Sequence, residues 1–273
     1  MDKLLKSKEL SAYQLKWIAM ITMTLDHFGK MFVGYWIIPL AQMLQISPNT
    51  CMFVLGTVMS VGQVTIYIFM WFVAEGCRYT HNIRAYIGRL LVFGLLSEIP
   101  FQCMIHIIMG EPLSIQIGFT NVMFTFALGA FACYGYELLK EKGYNVLCCF
   151  VPIACAVIAY LFHTDYDWFG VIGVFLLYIV QDAKKRLVVL TLMIVFFLGL
   201  HEPLLAFSIY GFSITALPTY AIRLAFALIS VPLLAAYHGK RGKSGKFGKY
   251  LFYAYYPVHI TILVLLFVSF MGI

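Results

Sequence analysis

YLFYAYYPVHITILVLLFVSFM, residues 250–271, contains no Asp, Glu, Lys or Arg. A helix that crosses a bilayer needs roughly 17 to 25 mainly apolar residues, and this run supplies them without interruption. Comparable runs lie near 12–36, 50–74, 88–109, 115–138, 146–162, 168–181, 187–200 and 218–237. They are continuous and lack the roughly ten-residue alternating segments of an outer-membrane barrel, so they are read as helices. The chain is therefore expected to be all-α and polytopic, with nine spans, some of them short or broken, in a single domain over 1–273. The apolar stretch 203–217, between Pro203 and Pro218, reads as a re-entrant or tilted segment.

Composition agrees. Of 273 residues, 62% are hydrophobic, 17% aromatic and only 11% charged, with a mean hydropathy of +0.89. A soluble domain carries roughly a quarter charged residues, so this chain cannot cover a water-facing globule. A net charge of +7 and a pI near 9.0 could suit nucleic acid, but the basic residues are segregated between apolar runs. Lys3, Lys6 and Lys8 precede the first run; Arg78, Arg84 and Arg89 follow the second; Lys140 and Lys142 follow the fourth. Lys184, Lys185 and Arg186 follow the sixth, and Lys240, Arg241, Lys243, Lys246 and Lys249 the eighth. The turns at 37–49, 110–114, 163–167 and 201–203 have no Lys or Arg. Alternation of this kind is the positive-inside pattern. It places the N-terminus in the cytoplasm and the C-terminus outside, in a multi-pass protein of a cell membrane, read as the bacterial cytoplasmic membrane. Lipid is then the expected partner and nucleic acid is not. The first apolar run reads as a span, because no cleavage pattern follows it. Cys51, Cys77, Cys103, Cys133, Cys148, Cys149 and Cys155 form no CxxC and read as small buried hydrophobes.

Ionisable groups in hydrocarbon are costly, so each one in a span is a functional candidate. On the first span His27 follows Lys16 by eleven residues, about 16 Å along a helix. Asp26 and Lys30 are four apart and share a face. An Asp26–Lys30 pair that does not involve His27 is expected. At the end of the second span Glu75 and Arg78 share a helical face, and Arg84 and Arg89 follow at the cytoplasmic surface. Their guanidinium groups, with Asn82, Tyr79 and Tyr86, suit the phosphates of an anionic cofactor. Ordinary positive-inside anchoring also accounts for Arg84 and Arg89.

The third span buries Ser97 and Glu98 just before Pro100, and the last places His259 just after Pro257. Proline removes a helix hydrogen bond, so polar groups and irregular backbone coincide, as they do where a cavity is lined. Arg223, in the eighth span, is a third deep position. Thr120, Asn121 and Thr125, with Asp165, Tyr166 and Asp167, are candidates for the outer side of the same cavity. His81, His106, His163, His201 and His238 lie near span ends and are read as incidental.

Several motifs are missing. The chain has no HExxH, CxxC or GxSxG, and the basic loop KRGKSGKFGK has Tyr237 where a Walker sequence needs its first glycine. No metal site is expected.

LKWIAMITMTLDHFGKMF (15–32), FMWFVAEGCRYTHNIRAYIGRLLVFGLLSEIPF (69–101), NVMFTFALG (121–129), DYDWFGVIGVFLLYIV (165–180) and FYAYYPVHI (252–260) resemble, in this order, the TraX family of pilin acetylation proteins. The first span also resembles that of the transmembrane acyltransferases of the type 3 and lysosomal glucosaminide acetyltransferase kind. In the type 3 group a basic residue precedes a functional His by eleven residues, a spacing that Lys16 and His27 keep.

The resemblance implies an integral membrane acetyltransferase that moves acetyl from cytosolic acetyl-CoA to an amine or hydroxyl, on a pilin-like peptide or an envelope glycan or lipid. His27 would act as base. Glu98 or His259 would orient it, Asp26 would tune it through Lys30, and Arg223, with Asn121 nearby, would support the oxyanion. Lys16, Glu75, Arg78, Asn82, Arg84 and Arg89 would meet the cofactor. A proton-coupled transporter and a non-enzymatic membrane assembly factor are the alternatives.

Overall fold

A computed structural model describes residues 9–112, 114–116, 118–212, 214–242 and 246–272. In chain order the α-helices are α1 (Ala12–Phe28), α2 (Gly34–Met43), α3 (Pro48–Val58), α4 (Gln63–Tyr79), α5 (Ile83–Met109) and α6 (Val122–Glu141). They continue as α7 (Phe150–Leu161), α8 (Asp167–Ile179), α9 (Ala183–Phe196), α10 (Glu202–Tyr210), α11 (Leu217–Ala235) and α12 (Lys246–Met271). Among the described residues there is no strand, only an isolated bridge between Leu10 and Tyr237. The all-α, membrane-like architecture is as the sequence indicates.

Among the described residues, six helices are long and apolar enough to cross a bilayer: Gly56–Tyr79, Ile83–Met109, Val122–Glu141, Ala183–Tyr210, Leu217–Ala235 and Tyr250–Met271. The expected runs at 146–162 and 168–181 form shorter helices, Leu147–Leu161 and Asp167–Ile179. The first run carries its charges on α1 and continues through a π turn, Gly29–Val33, into α2. At the stretch read as re-entrant or tilted, a second π turn, Phe197–His201, joins α9 to α10 in one helical stretch up to Tyr210. Pro203 lies just after that π turn. Pro100 and Pro257 lie inside α5 and α12 without ending them.

The chain groups into two compact units, 1–68 with 187–244 and 69–186 with 245–273. In the first, Ser11 and Gln14 form a reciprocal capping box that opens α1. Leu10 N–H and Ala12 N–H donate to the carbonyls of Ala236 and Lys240, both at 2.9 Å, which tie the start of α1 to the segment after α11. Glu9 accepts from Lys240 at 2.8 Å, and that ammonium holds its carboxyl below the ordinary value. Along α1 the buried stripe Leu15, Ala19, Met23 and Asp26 follows helical spacing, while Ile21 and Leu25 are exposed on the face left for lipid. Thr65 of α4 donates to the Ala19 carbonyl at 2.9 Å and lies 2.8 Å from the Thr22 hydroxyl.

In the second unit α5 packs on α12 and α6, and α6, α7 and α8 pack on one another. The core of the last three is Ala132, Cys155, Ala156, Ala159 and Val171. Apolar lipid supplies no hydrophobic drive between helices, so small residues that let backbones approach provide the packing. Gly129 shows this: a Cβ there would press on Val174. Of the cysteines, Cys51, Cys133, Cys148 and Cys155 are buried, Cys77 and Cys103 half-buried, and Cys149 exposed, contrary to the uniform burial expected.

Candidate functional site

The first unit holds Lys16, Asp26, His27, Lys30 and Arg223. Lys30 donates to Asp26 at 2.6 Å, as the four-residue spacing indicates. The Asp26 carboxyl also lies against the backbone of Gly62, next to the first residue of α4. That position is favourable for an anion, because a helix N-terminus presents unpaired N–H groups and the positive end of the helix dipole. Gly62 is required by the approach: a Cβ there would overlap the Asp26 carboxyl. His27, half-buried, is the penultimate residue of α1, directly before the first π turn. The second π turn leads into Glu202, which forms an ion pair with both terminal nitrogens of Arg223, one hydrogen bond measuring 3.2 Å. Arg223 also acts electrostatically on Asp26. π turns concentrate at functional positions, and each of these adjoins a carboxylate-cation pair.

The second unit holds the other expected residues. Glu98 is 7% exposed and accepts from Thr120 N–H at 3.0 Å, Thr120 Oγ1 at 2.8 Å, Asn121 Nδ2 at 2.6 Å and Gln102 Nε2 at 2.9 Å. Asn121 is the N-cap of α6, accepting from Met123 N–H and donating to the Gly94 carbonyl. Gln102 holds the backbone of Gln116 by two hydrogen bonds of 2.8 Å. Thr120, Asn121 and Thr125 are joined to the 164–165 turn, with Asp165 N–H donating to the Thr120 carbonyl at 2.6 Å. Glu98 is thus the anchor on which the segment before α6 is folded. His259 is buried, stacked on Tyr255, and its Nδ1 lies 2.7 Å from the Tyr255 carbonyl. A carbonyl only accepts, so Nδ1 carries the proton and Nε2 is the acceptor of the neutral ring.

The arginines are arranged differently from the sequence reading. Glu75 does not pair with Arg78: it accepts from Trp71 Nε1 at 3.2 Å and from Arg186 at 3.5 Å. Arg186, assigned to a cytoplasmic loop by sequence, is 3% exposed with its guanidinium 3.8 Å from the Trp71 ring centre. Arg78 turns to the carbonyls of Leu177, Tyr178 and Val180 and caps the end of α8. Arg84 donates to the Tyr134 hydroxyl at 3.1 Å, and Arg89 lies over the rings of Tyr86 and Tyr253. Asn82 is the N-cap of α5, its side chain accepting from Ala85 N–H at 2.9 Å. Asn82→Ala is expected to lower stability by about 1 kcal/mol, seen as an earlier thermal melt in detergent, with Asn82→Asp recovering most of it. A cleft of about 450 Å³ opens beside Arg78 among the ends of α4, α6 and α8, lined also by Tyr136, Glu137, Lys140, Tyr178 and Gln181. Among the described residues no three His, Cys, Asp or Glu side chains gather as a metal would require.

Among the described residues, six helices apolar and long enough to cross a bilayer, two of them joined by the Glu202–Arg223 pair, define a multi-pass helical membrane protein. The sequence model of the family described as TraX protein matches residues 11–267, nearly the whole length, and the chain belongs to that family. A protein of Dichelobacter nodosus described as "Probable fimbrial assembly protein FimC, serogroup H1" is 32% identical over 128 residues, 45% of this chain and 46% of that protein. The chain therefore spans about half the length of the curated relative it matches. No solved structure matches.

Proposed function

We propose that this protein is a membrane acetyltransferase that moves an acetyl group from acetyl-CoA to the amine of a pilin-like peptide or to another envelope amine or hydroxyl. Family membership over 11–267 supports the class of reaction, and the fimbrial name of the relative supports a surface-fibre subunit as acceptor. The observation that carries the chemistry is the place of His27, half-buried on α1 beside the Asp26–Lys30 pair and a π turn.

In this reading the acceptor nitrogen attacks the thioester carbonyl carbon, forming the C–N bond as the C–S bond breaks. His27 takes the proton that the nitrogen loses and returns it to the departing CoA thiolate. Asp26 is neutralised by Lys30, which keeps a second negative charge away from the imidazole and leaves it neutral before transfer. Arg223 is the candidate in the first unit to support the oxyanion. Lys16 is the cationic contact for the cofactor in the unit that holds His27, whereas Arg84, Arg89, Asn82, Glu75, Glu98 and His259 serve chiefly to build the second unit.

The test uses purified protein in nanodiscs, acetyl-CoA and a synthetic pilin-like N-terminal peptide. Acetyl-CoA is expected to raise the melting temperature, and mass spectrometry is expected to find the peptide heavier by one acetyl group. Neither stabilisation nor acetylation with any amine or hydroxyl acceptor would leave the second reading, a non-enzymatic assembly factor, which the relative's name as a fimbrial assembly protein favours.

A further inference from the structure

The cleft at the ends of α4, α6 and α8 is a feature that the sequence reading did not contain, apart from Arg78 and Tyr79. Its walls carry two cations and several tyrosines. Lys140 Nζ lies 5.2 Å from the centre of the Tyr136 ring, and the Arg78 guanidinium lies 5.7 Å from the centre of the Tyr178 ring. Arg78 is fixed further, since its Nε and Nη2 are spent on the end of α8 and Nη1 takes no part in those bonds. Glu137 and the Tyr178 hydroxyl act electrostatically on one another at the same wall. Tyr79, also in the lining, is 74% exposed.

A ligand that satisfies these groups has an anion for Arg78 and Lys140, a flat ring for Tyr79, and an amino group for the Glu137 carboxylate. An adenine nucleotide has all three: phosphate, purine and exocyclic amine. A cleft of about 450 Å³ lies within the roughly 300–1,000 Å³ range of small-molecule sites. A lone phosphate would leave Glu137 and Tyr79 unused. We infer that this cleft binds the 3′-phosphoadenosine end of acetyl-CoA, with Lys140 and Arg78 on phosphate and Glu137 on the adenine amine. The assignment rests on the acetyl-CoA-dependent reading of the protein, and it adds Lys140 and Glu137 to the residues that recognise the cofactor.

The experiment measures binding of adenosine 3′,5′-bisphosphate to the full chain in nanodiscs by equilibrium dialysis, with acetyl-CoA as competitor. Lys140→Ala, at an exposed position, is expected to weaken bisphosphate binding at least tenfold and to raise the KM for acetyl-CoA in the same proportion. Glu137→Leu is expected to weaken adenosine bisphosphate but to leave inorganic pyrophosphate unaffected. Lys142→Ala, exposed and outside the lining, is expected to change neither. Absence of bisphosphate binding, an equal effect of Lys142→Ala, or displacement of the bisphosphate by phosphoethanolamine would overturn the assignment. Acetyl-CoA turnover that Lys140→Ala and Glu137→Leu leave intact would overturn the cleft while sparing the acetyltransferase reading. Variant-sensitive bisphosphate binding without any acetyl transfer would do the reverse, establishing a nucleotide site in a protein that is not an acetyltransferase.

Discussion

On the proposed mechanism, His27→Gln is expected to lower acetyl-CoA-dependent turnover by about 10²- to 10⁴-fold, the usual worth of a general base, in a protein that still folds. Glutamine keeps polarity and much of the volume of the ring but cannot accept a proton at neutral pH, so the substitution removes the chemistry and little else. The position is half-buried on α1, so no fully enclosed cavity is created. His27→Ala is expected to give the same loss. The measurements are release of free CoA at saturating acceptor and, alongside, circular dichroism and the melting temperature. Normal turnover in either variant would remove His27 from the mechanism. Incubating wild-type protein with radiolabelled acetyl-CoA alone separates two routes: a labelled protein means an acetyl-imidazole intermediate, and an unlabelled one means direct transfer.

Glu98→Leu has its effect elsewhere, on the fold. The carboxylate accepts from Thr120, Asn121 and Gln102 while almost fully buried, so the substitution leaves several donors without an acceptor. Each buried unsatisfied group costs about 1–3 kcal/mol. Because the costs share one site and do not add fully, a loss of about 3–5 kcal/mol is expected. Glu98→Gln keeps the shape but turns one acceptor into a donor facing other donors, and about 1–3 kcal/mol is expected. Thermal melts and limited proteolysis of the 111–121 segment read the difference. Activity should fall in step with the unfolded fraction. A stable Glu98→Gln protein with abolished turnover would instead return Glu98 to the chemistry.

These contrasting roles show what sequence can and cannot convey. Asp26 and Lys30 are four residues apart on one helix, and the geometry of a single helix dictates their meeting. Glu98 is legible as a buried acid, but its partners at Thr120 and Asn121 are set by how α5 and α6 pack, which spacing along the chain does not encode. Only Gln102, one turn on, was within reach of a periodicity argument. Glu75 shows local spacing misleading the reader: Arg78 is on its face, yet the cation it takes is Arg186, counted by charge alone as a loop residue. Helix boundaries are hidden for a related reason. Hydropathy reports where lipid is tolerated, not where hydrogen-bonded helix stops, so α9 and α10 join while 146–162 and 168–181 remain short.

The π turn at Gly29–Val33 is, in effect, one residue inserted into a helix. At about 100° per residue, everything beyond it is set out of phase with the stripe that α1 presents. A wheel drawn through 12–43 as one uniform cylinder therefore blends two unrelated faces. A single-codon deletion between 29 and 33 would let the turn close to ordinary α-helix, erasing the insertion while every residue from Gly34 onward kept its face.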